Sequence, residues 1–277
     1  ECCGFGTREI ASALRVSNAT IAQRLVRAKR TLRDVSAPFE APGADELRAR
    51  LDDVRDVVYA LFTEGARATE GPALIREDLV AEALRLSRLL CSAPAFDDPS
   101  SRALRALICL HAARMPARID SLGGLATLAE QDRALFDRAL LNEGFAAFSA
   151  SMAGGVVSRF HVEASLASLH ASAPSFEETD WAAVLDRYDD LTRLAPGPVV
   201  ALNRVVAVAM ARGVDAAAAD LDAIASDAAL AGDGLVFATR AFIDERRGDY
   251  AAAAASWRAA AEKATNEPEA AYCRRRA

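Results

Sequence analysis

The sequence contains few of the residues that form sheets, loops and disulfide scaffolds. Its 277 residues include 11 Phe, four Tyr, two Trp, 15 Gly, 10 Pro and five Cys. The cysteines are scattered, which excludes a disulfide-rich scaffold and fits a reducing compartment, so we expect a cytoplasmic protein. The hydrophobic fraction of 52% is too high for a disordered chain.

Long apolar runs are also absent. The longest apolar stretch, 199–211, is interrupted by Asn203 and Arg204, whereas a membrane-spanning helix needs about 20 apolar residues. We therefore expect no membrane partner. The N-terminus has no basic region followed by an apolar core, so no secretory signal is predicted. The chain starts at Glu1 without a methionine, and we expect it to be a fragment of a longer protein.

The residue patterns of common catalytic and metal sites are missing as well. The three histidines, His111, His161 and His170, form no His-Glu-x-x-His pattern, and the cysteines form no Cys-x-x-Cys pair. Gly123-Gly124 is not followed by the Lys-Ser/Thr of a phosphate loop. We therefore expect no metal, no cofactor and no enzymatic activity. For His170 we expect capping or packing at a helix end rather than a ligand role.

Alanine is abundant, with 64 residues. Because alanine is the best helix former and adds little to a pleated surface, the composition predicts an all-α fold. The charge is uneven: residues 1–36 carry seven cations and three anions, a net +4, which leaves −10 for the remainder of a chain whose net charge is −6. This asymmetry predicts a polyanionic partner for the basic segment alone.

Two helices joined by a short turn are predicted in the basic segment, over 7–14 and from 18 to about 33. The second helix carries an apolar stripe that we expect to face the core, formed by Ile21, Leu25, Ala28 and Leu32. Its other face carries Thr20, Gln23, Arg27 and Arg30. This pattern is typical of a helix-turn-helix whose second helix enters the major groove, where Arg and Gln pair with base edges. From the residues alone, a solvated arginine-rich surface helix is an equal alternative.

Residues 37–46, which contain two prolines and a glycine, are predicted to link a partial helix-turn-helix domain, 1–36, to a larger domain, 47–277. In the larger domain, apolar residues recur at helical spacing over 47–62, 78–91, 99–113, 131–150, 160–171, 181–194, 199–212, 216–226, 234–247 and 250–264. The domain is therefore predicted to be a series of helices with short connections.

The last of these helices show a repeat. Gly248, Ala253 and Trp257 have the spacing of the turn glycine, the close-approach alanine and the aromatic residue of a tetratricopeptide repeat. Equivalent positions, displaced by 35 and then by a further 34 residues, are taken by Gly213, Ala218, Thr179, Tyr188 and Pro196. The recurrence predicts a tetratricopeptide-like helical-repeat domain.

Several stretches are similar to those of one protein family. They are Thr7-x-Glu9-Ile10-Ala11, Ala19-Thr20-x-Ala22-Gln23-Arg24-Leu25-Val26-Arg27-Ala28-Lys29, Arg118-Ile119-Asp120, Gln131-Asp132-Arg133 and Ala201-Leu202-Asn203-Arg204. Together they resemble bacterial extracytoplasmic-function RNA polymerase sigma factors of the subgroup with a long, tetratricopeptide-like C-terminal extension. By this resemblance the chain lacks sigma region 2 and the start of region 4.

The resemblance implies a function in transcription initiation, with the RNA polymerase core and promoter DNA as partners. It implies that the −35 element is bound through Thr20, Gln23, Arg24 and Arg27 in or beside the major groove, with Lys29 and Arg30 toward phosphates. It also implies that the helical domain regulates sigma activity, by contact with the missing sigma regions or with polymerase.

A second set of polar residues is a candidate regulatory pocket for a peptide or a small effector. It consists of Arg118, Asp120, Gln131, Asp132, Arg133 and Asn203. For Gln131-Asp132-Arg133, the favoured alternative is a salt-bridged helix start that holds the loop 116–129 on the body. The alternative for the whole chain is a stand-alone helical scaffold that binds a peptide or a small effector, since helical repeats offer concave binding faces.

Overall fold

The computed structural model describes residues 6–13, 16–35, 43–120, 124–227, 230 and 232–277. Its α-helices are α1 (Thr7–Ala13), α2 (Asn18–Val35), α3 (Ala44–Ala49), α4 (Leu51–Ala66), α5 (Glu77–Ser92), α6 (Pro99–Ala112), α7 (Arg138–Ser151), α8 (Arg159–Ser172), α9 (Trp181–Leu194), α10 (Pro198–Arg212), α11 (Val214–Ile224), α12 (Gly234–Arg247), α13 (Tyr250–Lys263) and α14 (Glu267–Arg276). These ranges contain no β-strand, so the all-α prediction is confirmed. Within them, no helix combines the length and hydrophobicity needed to cross a membrane.

Short polar side chains fix where many of these helices begin. The side chain at the N-cap accepts a hydrogen bond from a backbone N–H of the first turn at Asp98, Asp137, Asp180, Asp233, Asp249 and Asn266. Such caps satisfy backbone donors that the helix itself leaves unpaired. The helix predicted over 131–150 is corrected by this signal: the structure has a 3-10 helix, Arg133–Leu135, followed by α7, because Asp137 starts a new helix.

The first hydrophobic core surrounds α6, which packs against α4, α5, α7 and α8. Leu104, Leu107 and Ile108 on α6 are fully buried. Gly65 on α4 allows close approach to α5, because a Cβ atom there would lie 2.8 Å from the backbone nitrogen of Val80. This core lies before the part of the chain in which the repeat is predicted.

From α8 to α14 each helix packs against the next one along the chain. Gly213 and Gly248, at the predicted turn positions, both have positive φ angles, 97° and 80°, which glycine adopts at little cost. The predicted close-approach residues Ala218 and Ala253 are buried, as is Trp257. The positions predicted from the repeat are therefore confirmed at the turns after α10 and α12.

Helix α14, which the sequence analysis did not predict, returns to the beginning of the larger domain. Asn266, only 3% exposed, donates from its side-chain amide to the carbonyl of Ala68 at 3.2 Å. Arg67 and Glu269 form a two-pronged ion pair. The last helix is thus joined to the segment after α4, and the helical array is closed rather than open-ended.

Helices α1 and α2 have the predicted positions, with α2 ending at Val35 rather than near 33. The predicted apolar stripe of α2 is covered only at its start: Ile21 is 2% exposed, whereas Leu32 is 66% exposed and Ala28 is exposed. The prediction that Ala28 and Leu32 face the core is wrong. The physical reason is length: α2 has 18 residues, α1 has seven, and no other described element covers the far half of α2.

The predicted linker 37–46 lies partly outside the described residues, which omit 36–42. Helix α3 begins at Ala44, inside the predicted linker, because Asp45 and Glu46 place acidic side chains in its first turn, where the helix dipole favours them. The division into domains 1–36 and 47–277 stays a prediction.

Candidate functional site

The start of α2 is fixed by its cap. The Ser17 hydroxyl accepts a hydrogen bond from the backbone N–H of Thr20 at 3.1 Å, and the two hydroxyls lie 2.8 Å apart. Thr20 is therefore partly buried and engaged within the turn. The side chain of Thr20, one of the six residues implied in DNA binding, is thus already engaged in a local contact.

The other five residues are exposed on α2: Gln23, Arg24, Arg27, Lys29 and Arg30. At about 100° per residue, Thr20, Gln23, Arg24, Arg27 and Arg30 lie on one side of the helix, within an arc of about 120°. Lys29 lies on a different side, nearer to the apolar stripe. The structure therefore brings five of the six residues onto one face and separates Lys29 from them.

The exposed face of α2 has few internal charge partners. Arg30 lies 3.9 Å from Asp34, and both side chains are well exposed. In the described parts of the chain, Arg24 and Arg27 form no ion pair. Since an exposed pair of this kind contributes little, the guanidinium groups of this face are available to an anionic partner.

Helix α1 joins this face to the helical domain. Glu9 forms an ion pair with Arg76 at 2.6 Å, just before α5, and the more exposed Arg8 pairs with Glu70 at 3.2 Å. Ala11 is buried, with 6% of its surface exposed. Helix α2, which carries the basic residues, is consequently held to the acidic helical domain through the shorter helix α1.

A cavity of about 710 Å³ lies where these parts meet. Its walls include Ala11 and Ser17 from the basic segment and Asp233, Trp257 and Tyr272 from the helical domain. The ion pair of Arg67 with Glu269 also lines it, and the hydrogen bond between these two side chains raises the pKa of Arg67. The sequence analysis missed this cavity because its lining comes from segments that are distant in the sequence.

A second cavity, of about 490 Å³, contains two residues of the predicted regulatory pocket, Asp120 and Asp132. Asp120 accepts a hydrogen bond from the backbone N–H of Gly124 at 2.7 Å and lies 3.5 Å from Arg275. A side chain at position 124 would collide with both, because a Cβ atom there would lie 2.7 Å from Arg275 and 2.8 Å from Asp120. The charged rim of this cavity is completed by Glu130 and Arg276, 3.6 Å apart.

Gln131, Asp132 and Arg133 hold their segment in place through hydrogen bonds. The Gln131 amide oxygen accepts from the Arg114 guanidinium at 3.1 and 3.2 Å. Asp132 accepts from the backbone N–H of Ala134 at 2.9 Å, and Arg133 donates to the carbonyl of His170 at 2.7 Å. Within the described residues none of the three forms an ion pair, so the segment is held, but not by the salt bridges that were expected.

The two remaining residues of the predicted pocket lie elsewhere. Arg118 ends the 3-10 helix Met115–Arg118, and burial lowers its pKa. Asn203 is exposed on α10 and lines neither of the two cavities described above. The six residues therefore do not form one pocket. Asp120 and Asp132 line the second cavity, Gln131 and Arg133 flank Asp132 in the hydrogen-bonded segment, and Arg118 and Asn203 line neither cavity.

Two histidines lie beside this segment. Burial, with a smaller contribution from nearby arginines, lowers the pKa of His111 to about 3 and that of His170 to about 4. His170 packs edge-on against Trp181, with ring centroids 5.4 Å apart, in the last turn of α8, as expected for a packing residue. No group of three or more His, Cys, Asp or Glu side chains that could hold a metal ion occurs among the described residues.

The family and the relative to which this chain is similar have no assigned activity. Residues 50–152, which include α4 to α7, match a family of unknown function, DUF6596. The chain is 37% identical over 272 residues to the uncharacterized protein R00370 of Rhizobium meliloti (strain 1021). No solved structure matches significantly. The matched region covers 98% of this chain and 63% of R00370, so the chain spans less than two thirds of the length of that relative. The similarity to DUF6596 lies across the first hydrophobic core.

Proposed function

We propose that the chain functions in transcription initiation as part of an extracytoplasmic-function sigma factor. In this proposal α2 binds the −35 promoter element, and the helical domain regulates the activity of the sigma factor. The observation that carries the proposal is the exposed polar face of α2, on which Gln23, Arg24, Arg27 and Arg30 lie together while α1 holds the pair of helices to the domain.

The chemistry of this face suits DNA. Arg pairs through two hydrogen bonds with guanine and Gln with adenine in the major groove, so Gln23, Arg24 and Arg27 are assigned to base edges or the adjoining backbone. Arg30 and Lys29 are assigned to phosphates, with Lys29 on the flank of the helix. Thr20 is assigned a supporting role beside the groove, because its hydroxyl lies against Ser17.

The regulatory part of the proposal rests on the contact of α1 with the domain. Glu9 and Arg76 couple the orientation of α1, and through it α2, to the first helices of the domain. The domain would act through this contact and through contacts with other sigma regions or the polymerase core.

The test for DNA binding is selection of duplexes from a randomised pool, followed by fluorescence anisotropy with the selected duplex. Replacing Arg27 with Ala is expected to weaken binding by about 1–3 kcal/mol, roughly 5- to 150-fold. Arg212→Ala, an exposed arginine at the end of α10, serves as the control and is expected to bind as the unmodified chain does. No enrichment of any duplex, or equal affinities of the two variants, would contradict the proposal.

The second candidate function is a helical scaffold that binds a peptide or a small effector. The cavity of about 710 Å³ between the basic segment and the domain favours it, because its size is that of a small-molecule site. If the chain is such a scaffold, Arg27→Ala is expected to have no effect on the affinity measured in the DNA-binding experiment.

A further inference from the structure

Apolar side chains form much of the wall of the cavity of about 710 Å³ between the basic segment and the helical domain. Ala68 and Ala260 in this wall are each 2% exposed, and Leu235 and Ala238 of α12 add further apolar surface. Cys273 is buried there as well, and burial raises the pKa of its thiol. The cavity therefore has the room and the surface to receive an apolar group.

Two aromatic side chains belong to the same wall. Trp257 on α13 and Tyr272 on α14 both line the cavity and pack edge to face, with ring centroids 5.8 Å apart. Aromatic rings pack favourably against the edges and faces of other rings. Because several of the other wall residues are alanines, whose side chains are short, the space is left open for a flat aromatic group.

Many polar side chains of the wall already form bonds within the protein. The indole N–H of Trp257 donates to Glu245 at 2.7 Å, and the hydroxyl of Tyr272 donates to Glu130 at 3.3 Å. The two-pronged ion pair that joins the end of α4 to α14 satisfies a further cation and anion. A ligand would gain little by hydrogen bonding to these groups, since each would have to give up a partner.

Lys263 is the exception among the charged residues of the wall. It is the last residue of α13 and is exposed, and in the described parts of the chain it forms no ion pair. The two acidic residues of the wall, Glu269 and Asp233, both act on Arg67, Glu269 through the ion pair and Asp233 through its charge. The ammonium group of Lys263, on its flexible four-carbon chain, is thus available to a negative group of a ligand.

We propose that this cavity binds a small aromatic carboxylate, with the ring against Trp257 and the neighbouring alanines and the carboxylate toward Lys263. The inference rests on the second candidate function, the binding of a small effector, and names the class of that effector. Ala11 and Ser17 of the basic segment form part of the wall. A bound ligand would therefore contact both the basic segment and the helical domain.

The experiment is calorimetric titration of the full chain with three compounds that share one ring system: 1-naphthoate, the uncharged 1-naphthalenemethanol and the cationic 1-naphthylmethylammonium. We expect saturable binding of one 1-naphthoate per chain, with the alcohol about two- to fivefold weaker, the contribution of an exposed ion pair, and the ammonium compound weaker still. Absence of saturable binding by all three compounds would overturn both this inference and the effector-binding function. Equal or tighter binding of the alcohol or the ammonium compound would overturn the carboxylate class and leave effector binding standing.

Two variants with matched controls place the ligand in the cavity. Ala238→Leu fills part of the space and is expected to weaken 1-naphthoate binding by about tenfold or more, whereas Ala255→Leu, at an exposed position of α13 outside the wall, is expected to change nothing. Lys263→Gln is expected to lower the affinity for 1-naphthoate to that for the alcohol, and Arg258→Gln, exposed on the same helix, to leave it unchanged. Equal affinities within either pair of variants would contradict the site.

A readout in the unmodified chain remains valid if Ala238→Leu does not fold. The chain has two tryptophans, and 1-naphthoate is expected to shift the indole N–H signal of Trp257 in the proton NMR spectrum. The signal of Trp181, whose N–H donates to the carbonyl of Phe176 at 3.0 Å outside the cavity, is expected to stay in place. Binding that leaves the Trp257 signal unchanged would place the ligand elsewhere and overturn the inference.

Discussion

At the scale of single residues, the first core leaves no room for a side chain at Gly65 on α4. Gly65 faces the backbone of α5, and a Cβ atom there would lie 3.0 Å from the Cβ of Leu79 and 2.8 Å from the nitrogen of Val80. A backbone atom cannot turn away as a flexible side chain can, so accommodation needs a shift of a helix. Glu64 beside it is buried and accepts hydrogen bonds from Thr69, which fixes the turn after α4.

Gly65→Ala is expected to lower the free energy of unfolding by about 1–3 kcal/mol, the usual cost of overpacking a core. Gly155→Ala is the control, because nothing lies within 4 Å of the Cβ position there. Urea denaturation of both variants measures the difference. Equal stability of the two variants would show that α4 and α5 are not in the close contact described.

The lowered pKa values of His111 and His170 predict a pH dependence of stability. Their pKa values fall from the ordinary 6.5 to about 3 for His111 and about 4 for His170. Below pH 6.5 the unfolded chain takes up these protons and the folded chain does not, so stability falls as the pH falls from about 6.5 towards 4. The slope contributed by each imidazole is at most about 1.4 kcal/mol per pH unit.

Denaturation of the unmodified chain and of His170→Gln at several pH values measures this dependence. The variant lacks one of the titrating groups, so its stability is expected to decline less steeply between pH 6.5 and 4. Parallel curves for the two proteins would show that His170 is not held neutral by its surroundings.

At the scale of helices, sequence reasoning succeeds where the signal is local. The bounds of α2 follow from its cap and its periodicity, and the turns at Gly213 and Gly248 follow from the need for positive φ angles. Sequence reasoning fails where the burial of a side chain depends on which element packs against it. The apolar pattern of α2 cannot reveal that Leu32 has no covering element among the described residues. Helix α14 carries Pro268 near its start, Glu in its first turn and Arg in its last, signals that predict a helix without any apolar periodicity.

The contact that holds α1 predicts a local effect. Arg76→Gln removes the partly buried ion pair with Glu9, and we expect faster hydrogen exchange of the backbone amides of α1 with little change in the domain. Arg8→Gln removes an exposed pair, in which the arginine side chain is 69% exposed, and is expected to change exchange little. Equal exchange rates of α1 in both variants would show that Glu9 and Arg76 do not hold the helix.

At the scale of the whole molecule, the main feature is the closure of the helical array by α14. The candidate sites depend on it, because Tyr272 lines both cavities and Arg275 and Arg276 line the second. No sequence pattern predicts such sites, since their residues come from both ends of the domain and meet only after it has folded. The residues of the predicted regulatory pocket were predicted from local sequence motifs, and the structure separates Asn203 from the others.

Asn266→Ala tests the closure. It leaves the carbonyl of Ala68 without its partner and removes the cap of α14, so we expect a loss of about 1–3 kcal/mol in the free energy of unfolding. Asn203→Ala, at an exposed position, is expected to stay within about 0.5 kcal/mol of the unmodified chain. Thermal or urea denaturation of both variants gives the comparison, and a neutral Asn266→Ala would contradict a closed array.

The proposed function is tested most directly by promoter-directed transcription with RNA polymerase core. The measurement compares the product of the gene that encodes this chain with the same product lacking residues 47–277. The account predicts a promoter-specific transcript from the intact protein and a severalfold change in its amount when the helical domain is removed. No transcript from the intact protein would contradict the sigma function, and an unchanged amount after the deletion would contradict regulation by the domain.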